Sequence, residues 1–133
     1  MESIEKTIYI WDIKFNLLTL NEFVEKIDYR IKNNITPIHI TGVNPETVVH
    51  ASQDEIMKQA ILESDFVNID NTTILKTLRM LGHAAPERVA TPDLFEALLK
   101  LSYLNSYKVY ILGAKEFVLN NAINNIRKDY PSI

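Results

Sequence analysis

The stretch from His39 to Val49 reads HITGVNPETVV, and it contains the transition that decides the fold. A β-prone run from Thr36 to Thr41 stops at Gly42, one of only three glycines in the chain. Asn44 then fits a helix cap, and Pro45 fits the first helical position, where the missing amide costs no hydrogen bond. The pattern predicts a strand that passes directly into a helix.

Strand and helix patterns alternate along the rest of the chain. Strands are predicted over 7–15 (with a break near Asp12), 36–41, 66–69 and 107–112. Helices are predicted over 20–32, 45–63 (with a break near Ser52), 71–81, 91–104 and around 119–126. Strands separated by helices of this length favour βαβ units. The predicted fold class is α/β, a Rossmann-like parallel sheet flanked by helices, with a short N-terminal β element.

Helix ends carry their own signals. Thr19 and Glu22 have the spacing of a capping box, in which each side chain bonds the other residue's backbone amide. Gly82 fits the position after a helix C-terminus, where a left-handed conformation is common. Thr91 and Pro92 predict an N-cap and a first helical residue for the helix over 91–104. The segment 83–90 is predicted to be a loop.

Composition limits the class of protein. The 133 residues are enough for one domain, predicted to span 1–133, and the 47% hydrophobic content is ordinary for a globular protein. The net charge of −3, with scattered basic residues, gives no sign of a nucleic-acid surface. The absence of cysteine excludes disulfides and thiolate metal sites and fits a reducing cytoplasm. Met1 to Lys6 lacks a signal-peptide profile, and no apolar run could span a membrane.

The first candidate site is the stretch around Gly42 and Asn44. In open α/β sheets, ligands bind outside the carboxyl ends of the strands. A glycine there lets the backbone turn sharply and approach a ligand, and the start of the next helix suits an anion such as a diphosphate. An ordinary strand-to-helix turn explains the same residues and is favoured from this stretch alone. The glycine spacings of the common nucleotide loops are missing.

Two further strand ends carry polar groups. Asp70 follows the strand 66–69, where a carboxylate could act as a general base or hold a sugar hydroxyl. It could equally serve as the N-cap of the helix that begins at Asn71. Gly113 and Lys115 follow the strand 107–112, and the sequence does not separate a binding role from a simple turn.

Arg88 lies in the loop 83–90, where it is either a surface residue or a ligand for phosphate, whose oxygens match the planar guanidinium. The three histidines, His39, His50 and His83, lack the spacing of metal ligands, so no metal site is predicted.

Five stretches, in order along the chain, resemble the WecB/TagA/CpsF glycosyltransferases of glycosyltransferase family 26. They are IKFNLLTLNEFVEKI (13–27), TGVNPETVVHA (41–51), SDFVNIDNTTIL (64–75), LGHAAPERVATPDLFEALL (81–99) and YKVYILGAKEFVLNNAINNIRKDYP (107–131). The resemblance implies transfer of an N-acetylmannosamine-type sugar from a UDP-sugar to a lipid-diphosphate-linked acceptor, in cell-surface polysaccharide or teichoic acid synthesis. It also implies inversion at the anomeric carbon, no cofactor or obligatory metal, and a cytoplasmic protein peripheral to the inner face of the cell membrane.

The resemblance also implies roles for individual residues. Asp70 matches the family's proposed general base, and Arg88 matches an arginine that would stabilise the diphosphate. Asn44 matches the asparagine of a T-x-N motif, with Thr41 displaced by one position. The substrate-binding residues expected in this chain are Thr41, Gly42, Asn44, Asn71, Thr72, Arg88, Gly113 and Lys115.

Departures from the family pattern leave a second interpretation open. Asn71 and Thr91 stand where the family usually has glycine, Asp12 replaces an early glycine, and family members continue beyond the equivalent of Ile133. The chain is therefore expected to be either the N-terminal part or a short form of the enzyme, or a non-catalytic relative that binds sugar nucleotide or a partner subunit. If 133 residues is the natural length, the sheet lacks its second half, and the strand 107–112 is expected to lie near an uncovered edge that another copy or another chain could cover. A nucleotide-binding protein outside the family is a third, weaker alternative.

Overall fold

The computed structural model describes residues 6–133, so the predicted absence of a signal peptide falls largely on residues outside the described range. The chain divides into two compact units. The first ends at Leu94 and the second is Phe95–Ile133. Each unit is described by itself.

The first unit contains most of the regular structure. Its elements are β1 (Thr7–Ile10), β2 (Ile13–Asn16), α1 (Leu20–Lys32), β3 (Ile40–Val43), α2 (Pro45–Gln53), α3 (Glu55–Glu63), β4 (Phe66–Ile69) and α4 (Thr72–Met80). Helix α5 (Thr91–Asn105) begins at the end of this unit, and α6 (Glu116–Asp129) lies in the second unit.

Strands β1 and β2 form the predicted N-terminal β element. They pair antiparallel, with Thr7 opposite Asn16 and Ile10 opposite Ile13. Trp11 and Asp12 connect them with φ angles of 54° and 56°. Two successive residues at positive φ match the twist of a two-residue hairpin. The predicted break near Asp12 is confirmed.

Strands β3 and β4 form a parallel pair joined by α2 and α3. The register places Ile40 opposite Phe66 and Val43 opposite Ile69. A parallel pair with a helical crossover is the βαβ arrangement, so the predicted α/β class is confirmed. The predicted strand over 36–41 is wrong in its limits: β3 continues through Gly42 to Val43. Because α3 ends at Glu63, β4 begins only at Phe66, and residues before Ile40 have no β4 residue opposite them.

Helix boundaries follow the predicted capping signals. The capping box of Thr19 and Glu22 is present at α1, and Gly82 follows α4 with a φ of +87°. The break in the second helix falls at Asp54, two residues after the predicted Ser52. Its carboxylate accepts hydrogen bonds from the amides of Ile56 and Met57 at the start of α3.

The core lies on both faces of β4, whose four residues are all buried. Val67 and Ile69 belong to one apolar cluster with residues of the hairpin and of α2, α3 and α4. On the other face, Phe66 meets Phe23 of α1 with ring centroids 6.0 Å apart, and the guanidinium of Arg30 lies 4.9 Å from the Phe66 ring. Burial on both faces is typical of a strand in a parallel α/β sheet.

Asp65 ties the amino-terminal ends of the parallel strands to α1. Its carboxylate accepts hydrogen bonds from the backbone amide of His39, at 2.8 Å, and from Arg30 Nη1, at 2.5 Å. The hydrogen bond from the His39 amide is the largest cause that holds the pKa of Asp65 below its usual range. Burial opposes it, and the hydrogen bond from Arg30 and the charge of its guanidinium lower the pKa further.

The second unit contains the one strand prediction that fails outright. Residues 107–112 have no regular secondary structure, and no described strand pairs with them. A β-prone sequence needs a neighbouring strand to accept its backbone hydrogen bonds. Instead, Val109 and Ile111 line a cavity with Leu119 and Ile123 of α6. The predicted amphipathic last helix is confirmed, and it extends over Glu116–Asp129.

Candidate active site

The carboxyl ends of β3 and β4 lie side by side. The last paired residues are Val43 and Ile69, and the backbone amide of Asp70 donates to the carbonyl of Val43 at 3.2 Å. Asn44 and Asp70 therefore leave the sheet at the same edge. We call residues 42–44 and 68–70, together with the adjoining segment 89–91, the rim.

Asn44 caps α2. Its Oδ1 accepts hydrogen bonds from the amide of Thr47, at 2.9 Å, and from the Thr47 hydroxyl, at 3.0 Å. Among the first three residues of α2, Pro45 has no amide hydrogen and the Thr47 amide is bonded to Asn44. The amide of Glu46 is therefore the remaining backbone donor at this helix start. The carboxylate of Glu46 lies in the same turn, where its charge opposes a bound anion. This helix start suits a diphosphate less well than the sequence pattern indicated.

Asp70 is half-buried, and its carboxylate bonds to the start of α5. Oδ1 accepts from the amide of Thr91 at 2.5 Å. The alternative that Asp70 caps α4 is wrong, because Asn71 holds that position and accepts from the Thr73 amide at 2.7 Å. Asp70 instead satisfies an amide at a helix start 21 residues further along the chain.

The start of α5 differs by one residue from the prediction. The carbonyl of Ala90 accepts the first helical hydrogen bond, from the amide of Leu94 at 3.0 Å. Thr91 is therefore the first helical residue and not the N-cap, and its amide has no partner within the helix. The carboxylate of Asp70 supplies that partner from outside the helix.

Asn68 is a rim residue that the sequence analysis missed. It is 1% exposed, and its Nδ2 donates to the carbonyl of Val89 at 2.7 Å and to Oγ1 of Thr91 at 3.3 Å. Its Oδ1 is buried and has no hydrogen-bond partner among residues 6–133. A polar residue in the middle of the apolar run FVNI was the available signal.

Gly42 lets the segment 89–91 approach the sheet closely. A Cβ at this position would overlap Oγ1 of Thr91 and would lie 3.3 Å from both Asn68 Nδ2 and Asp70 Cβ. Glycine is needed here for the absence of a side chain inside a strand. The predicted reason, a sharp turn at the end of the strand, is wrong.

The loop 83–90 is held from two sides. The amide of Val89 donates to the carbonyl of Ile69 at 2.9 Å. Arg79 of α4 donates from Nε to the carbonyl of Ala85 at 2.9 Å and from Nη2 to that of Pro86 at 2.6 Å. These bonds place the backbone that precedes α5 beside β4.

Arg88 immediately precedes the rim segment 89–91, and its guanidinium forms an ion pair with Asp93. Nη2 lies 3.6 Å from Asp93 Oδ2, and the two side chains are 46% and 59% exposed. The arginine is therefore at the surface, which agrees with the simpler of its two predicted roles, that of a surface residue. It directly precedes the rim segment in sequence.

The other predicted site residues lie elsewhere. Thr41 is opposite Val67 in the register, and alternation along β3 directs its side chain to the face of Val43, away from that of Gly42. Thr72 is the exposed first residue of α4. Gly113, with a φ of +135°, and Lys115, at the N-cap position of α6, belong to the second unit.

No group of three or more histidine, aspartate or glutamate side chains within residues 6–133 could hold a metal ion. In the same part of the chain, no helix has both the length and the apolar character needed to cross a bilayer.

Two comparisons with known proteins point to the same family. The sequence model of the Glycosyl transferase WecG/TagA/CpsF family matches residues 8–133. The chain is 27% identical, over 125 residues, to proteins of Staphylococcus aureus strains NCTC 8325 / PS 47, COL and MRSA252. Each is named N-acetylglucosaminyldiphosphoundecaprenol N-acetyl-beta-D-mannosaminyltransferase. The matches cover 93% of this chain and 49% of each relative, so the chain spans about half the length of the curated relatives it matches.

Proposed function

This chain belongs to the Glycosyl transferase WecG/TagA/CpsF family, and from that premise we propose that it transfers an N-acetylmannosamine-type sugar. The donor is a UDP-sugar, and the acceptor is a sugar linked through a diphosphate to a membrane lipid. The names of the relatives, which specify an N-acetylmannosaminyl group and a diphosphoundecaprenol acceptor, support this choice. The product would enter synthesis of a cell-surface polymer such as teichoic acid.

The position of Asp70 is the observation that carries the proposal. Its half-buried carboxylate lies at the carboxyl end of a parallel strand, where ligands of α/β proteins bind. Thr91 occupies one site on Oδ1, and an ionised carboxylate can accept about four hydrogen bonds. The carboxylate therefore keeps the capacity to accept a proton from an acceptor hydroxyl.

In the proposed reaction, Asp70 takes the proton of the acceptor hydroxyl as that oxygen attacks the anomeric carbon of the donor. A bond forms between the acceptor oxygen and this carbon, and the bond from the carbon to the phosphate oxygen breaks. UDP leaves with the electron pair, and the configuration at the carbon inverts because attack and departure occur on opposite sides.

Arg88 is proposed to stabilise the departing diphosphate. Its pairing with Asp93 does not prevent this, because an exposed pair at 3.6 Å contributes only about 0–1 kcal/mol. A diphosphate offers the guanidinium more charge and a bidentate geometry. The arginine would exchange one partner for a stronger one when the donor binds.

The test is release of UDP by this chain from UDP-N-acetylmannosamine in the presence of undecaprenyl-diphosphate-linked N-acetylglucosamine. Asp70→Asn keeps an oxygen that can accept from Thr91 but removes the base, so we expect the rate to fall about 10²–10⁴-fold. Asp54→Asn is the matched control, because Asp54 also satisfies helix amides and lies at the opposite end of α2 from the rim. Equal rates for Asp70→Asn and the unmodified chain would remove Asp70 from the mechanism.

A non-catalytic relative that binds sugar nucleotide is the second candidate. The pairing of Asp70 with Thr91 and of Arg88 with Asp93 favours it, since both side chains already have partners within the protein. This candidate predicts that UDP binds in a calorimetric titration while no UDP is released with any acceptor. Weaker binding by Arg88→Ala would place the nucleotide at the rim.

A further inference from the structure

We propose that Asn68 is a positioning residue that holds the segment 89–91 so that the amide of Thr91 orients the carboxylate of Asp70. The role in catalysis rests on the proposed function of Asp70 as general base. The positioning itself rests only on contacts within the first unit.

Asn68 and Asp70 hold the same segment at two points. Alternation along β4 places the two side chains on one face of the strand, two residues apart. Asn68 Nδ2 donates to the carbonyl of Val89 at 2.7 Å, and Asp70 Oδ1 accepts from the amide of Thr91 at 2.5 Å. The two bonds lie on either side of Ala90, whose carbonyl accepts the first hydrogen bond of α5. The start of the helix is thus fixed relative to the carboxylate.

The orientation of the Asn68 amide follows from its partner. The carbonyl of Val89 can only accept, so the NH₂ group must face it. The opposite orientation would bring two acceptors together. In the observed orientation Nδ2 also reaches the Thr91 hydroxyl at 3.3 Å, so Asn68 contacts residues on both sides of Ala90.

Packing alone does not account for an asparagine at this position. The neighbours of Asn68 in β4 are apolar and buried, and its Oδ1 is buried without a partner in the described part of the chain. An unsatisfied buried oxygen is unfavourable, and an apolar residue of similar size would avoid it. The donor function of the side chain, directed at the segment next to Asp70, supplies a reason for keeping the amide.

The chain offers a matched control in Asn16. This asparagine of β2 is also 1% exposed, and its Oδ1 accepts from the amide of Val67 at 2.7 Å. Its Nδ2 donates to the Thr7 hydroxyl at 3.1 Å, so neither end of the amide contacts the segment 89–91. Asn68→Leu and Asn16→Leu each remove one buried amide from a strand, but only the first alters the support of Asp70.

The first measurement is the amide proton resonance of Thr91 in the full chain, which reports its bond to the carboxylate. We expect Asn68→Leu to move this resonance towards its position in Asp70→Ala, and Asn16→Leu to leave it in place. An unchanged resonance in folded Asn68→Leu overturns the proposal. This measurement does not require activity, so an inactive chain would refute the proposed function without affecting the test of positioning.

The second measurement is the split between kcat and KM. We expect Asn68→Leu to lower kcat at least tenfold with little change in KM for the UDP-sugar, and Asn16→Leu to retain kcat within twofold per folded molecule. Equal losses of kcat in the two variants would mean that Asn68 acts only through stability.

An exposed substitution covers the case in which Asn68→Leu does not fold. Thr91→Pro removes the amide hydrogen at the first helical position, where proline is tolerated, and leaves Asn68 intact. We expect it to lower kcat as Asn68→Leu does. Full activity of Thr91→Pro would overturn the link between this amide and Asp70.

Discussion

Replacing Gly42 with alanine is expected to destabilise the protein mainly through one contact, with the side chain of Thr91. The new Cβ would overlap Oγ1 of Thr91, and it would lie 3.3 Å from Asn68 Nδ2 and Asp70 Cβ. Gly42 is not among the residues with positive φ, so alanine adopts its backbone conformation without strain. The penalty is therefore steric.

Two opposing effects set the size of the change. Inserting a methyl group into a packed site costs about 1–3 kcal/mol. Replacing glycine restricts the unfolded chain and returns about 0.4–1 kcal/mol. We therefore expect a net loss of about 1–2 kcal/mol in the free energy of unfolding. In a Thr91→Ala background the overlapping hydroxyl is gone, and only the two contacts at 3.3 Å remain. The loss should then be smaller by about 1 kcal/mol.

Urea denaturation of the unmodified chain, the two single variants and the double variant measures this coupling. Gly82→Ala is the control, because Gly82 has a φ of +87° and no atom within 4 Å of an added Cβ. Its cost arises from backbone strain and should be the same in both backgrounds. If Gly42→Ala costs as much in the Thr91→Ala background as in the unmodified chain, the proposed contact across the rim is wrong.

Three other predictions test further contacts. Asp70→Ala should lower the free energy of unfolding by about 0.5–2 kcal/mol, as for loss of a helix cap. Asp70→Asn should lower it by clearly less, since its amide oxygen still accepts from the Thr91 amide. Thermal denaturation of the two variants compares these losses. Because the pKa of Asp65 is lower in the folded protein, its carboxylate stabilises the fold at pH values above the ordinary aspartate pKa, which is near 4. This contribution is lost as pH falls through the folded pKa. Asp65→Asn should therefore weaken the dependence of the free energy of unfolding on pH in that acidic range. Urea titrations from about pH 2 to 6 measure this, and an unchanged dependence would contradict the proposed role of Asp65. Arg79→Met should raise amide hydrogen exchange in the loop 83–90, because two carbonyls lose their donor, while exchange in β4 stays the same.

Sequence patterns located those elements whose signals lie within a few residues. The capping box at Thr19, the break in the strand near Asp12 and the helix end at Gly82 each depend on local geometry. The buried strand 66–69 was readable because its apolar run is short and bounded by polar residues. The same reasoning failed for 107–112, where β propensity is high but no described strand is available for pairing.

The rim shows the same division between local and long-range contacts. From sequence, Asp70 had two alternatives, a general base or the N-cap of the next helix, and the second was assigned to the wrong helix. A carboxylate at a strand end is visible in the sequence, but its partner, the amide of Thr91, lies 21 residues away and is brought there by packing of the loop 83–90. Asn68 escaped notice for the same reason, since its partner Val89 is also distant in sequence.

The sequence by itself determined the α/β class, the order of most elements, and the placement of Asn44 and Asp70 after successive strands. These follow from residue periodicity and capping, which act over one or two turns of chain. Only the tertiary structure decided that Gly42 is needed beneath Thr91, that Asp70 supports α5, and that residues 107–112 form no strand. Each of these depends on which distant backbone groups packing brings within hydrogen-bonding distance, and local preferences carry no information about that.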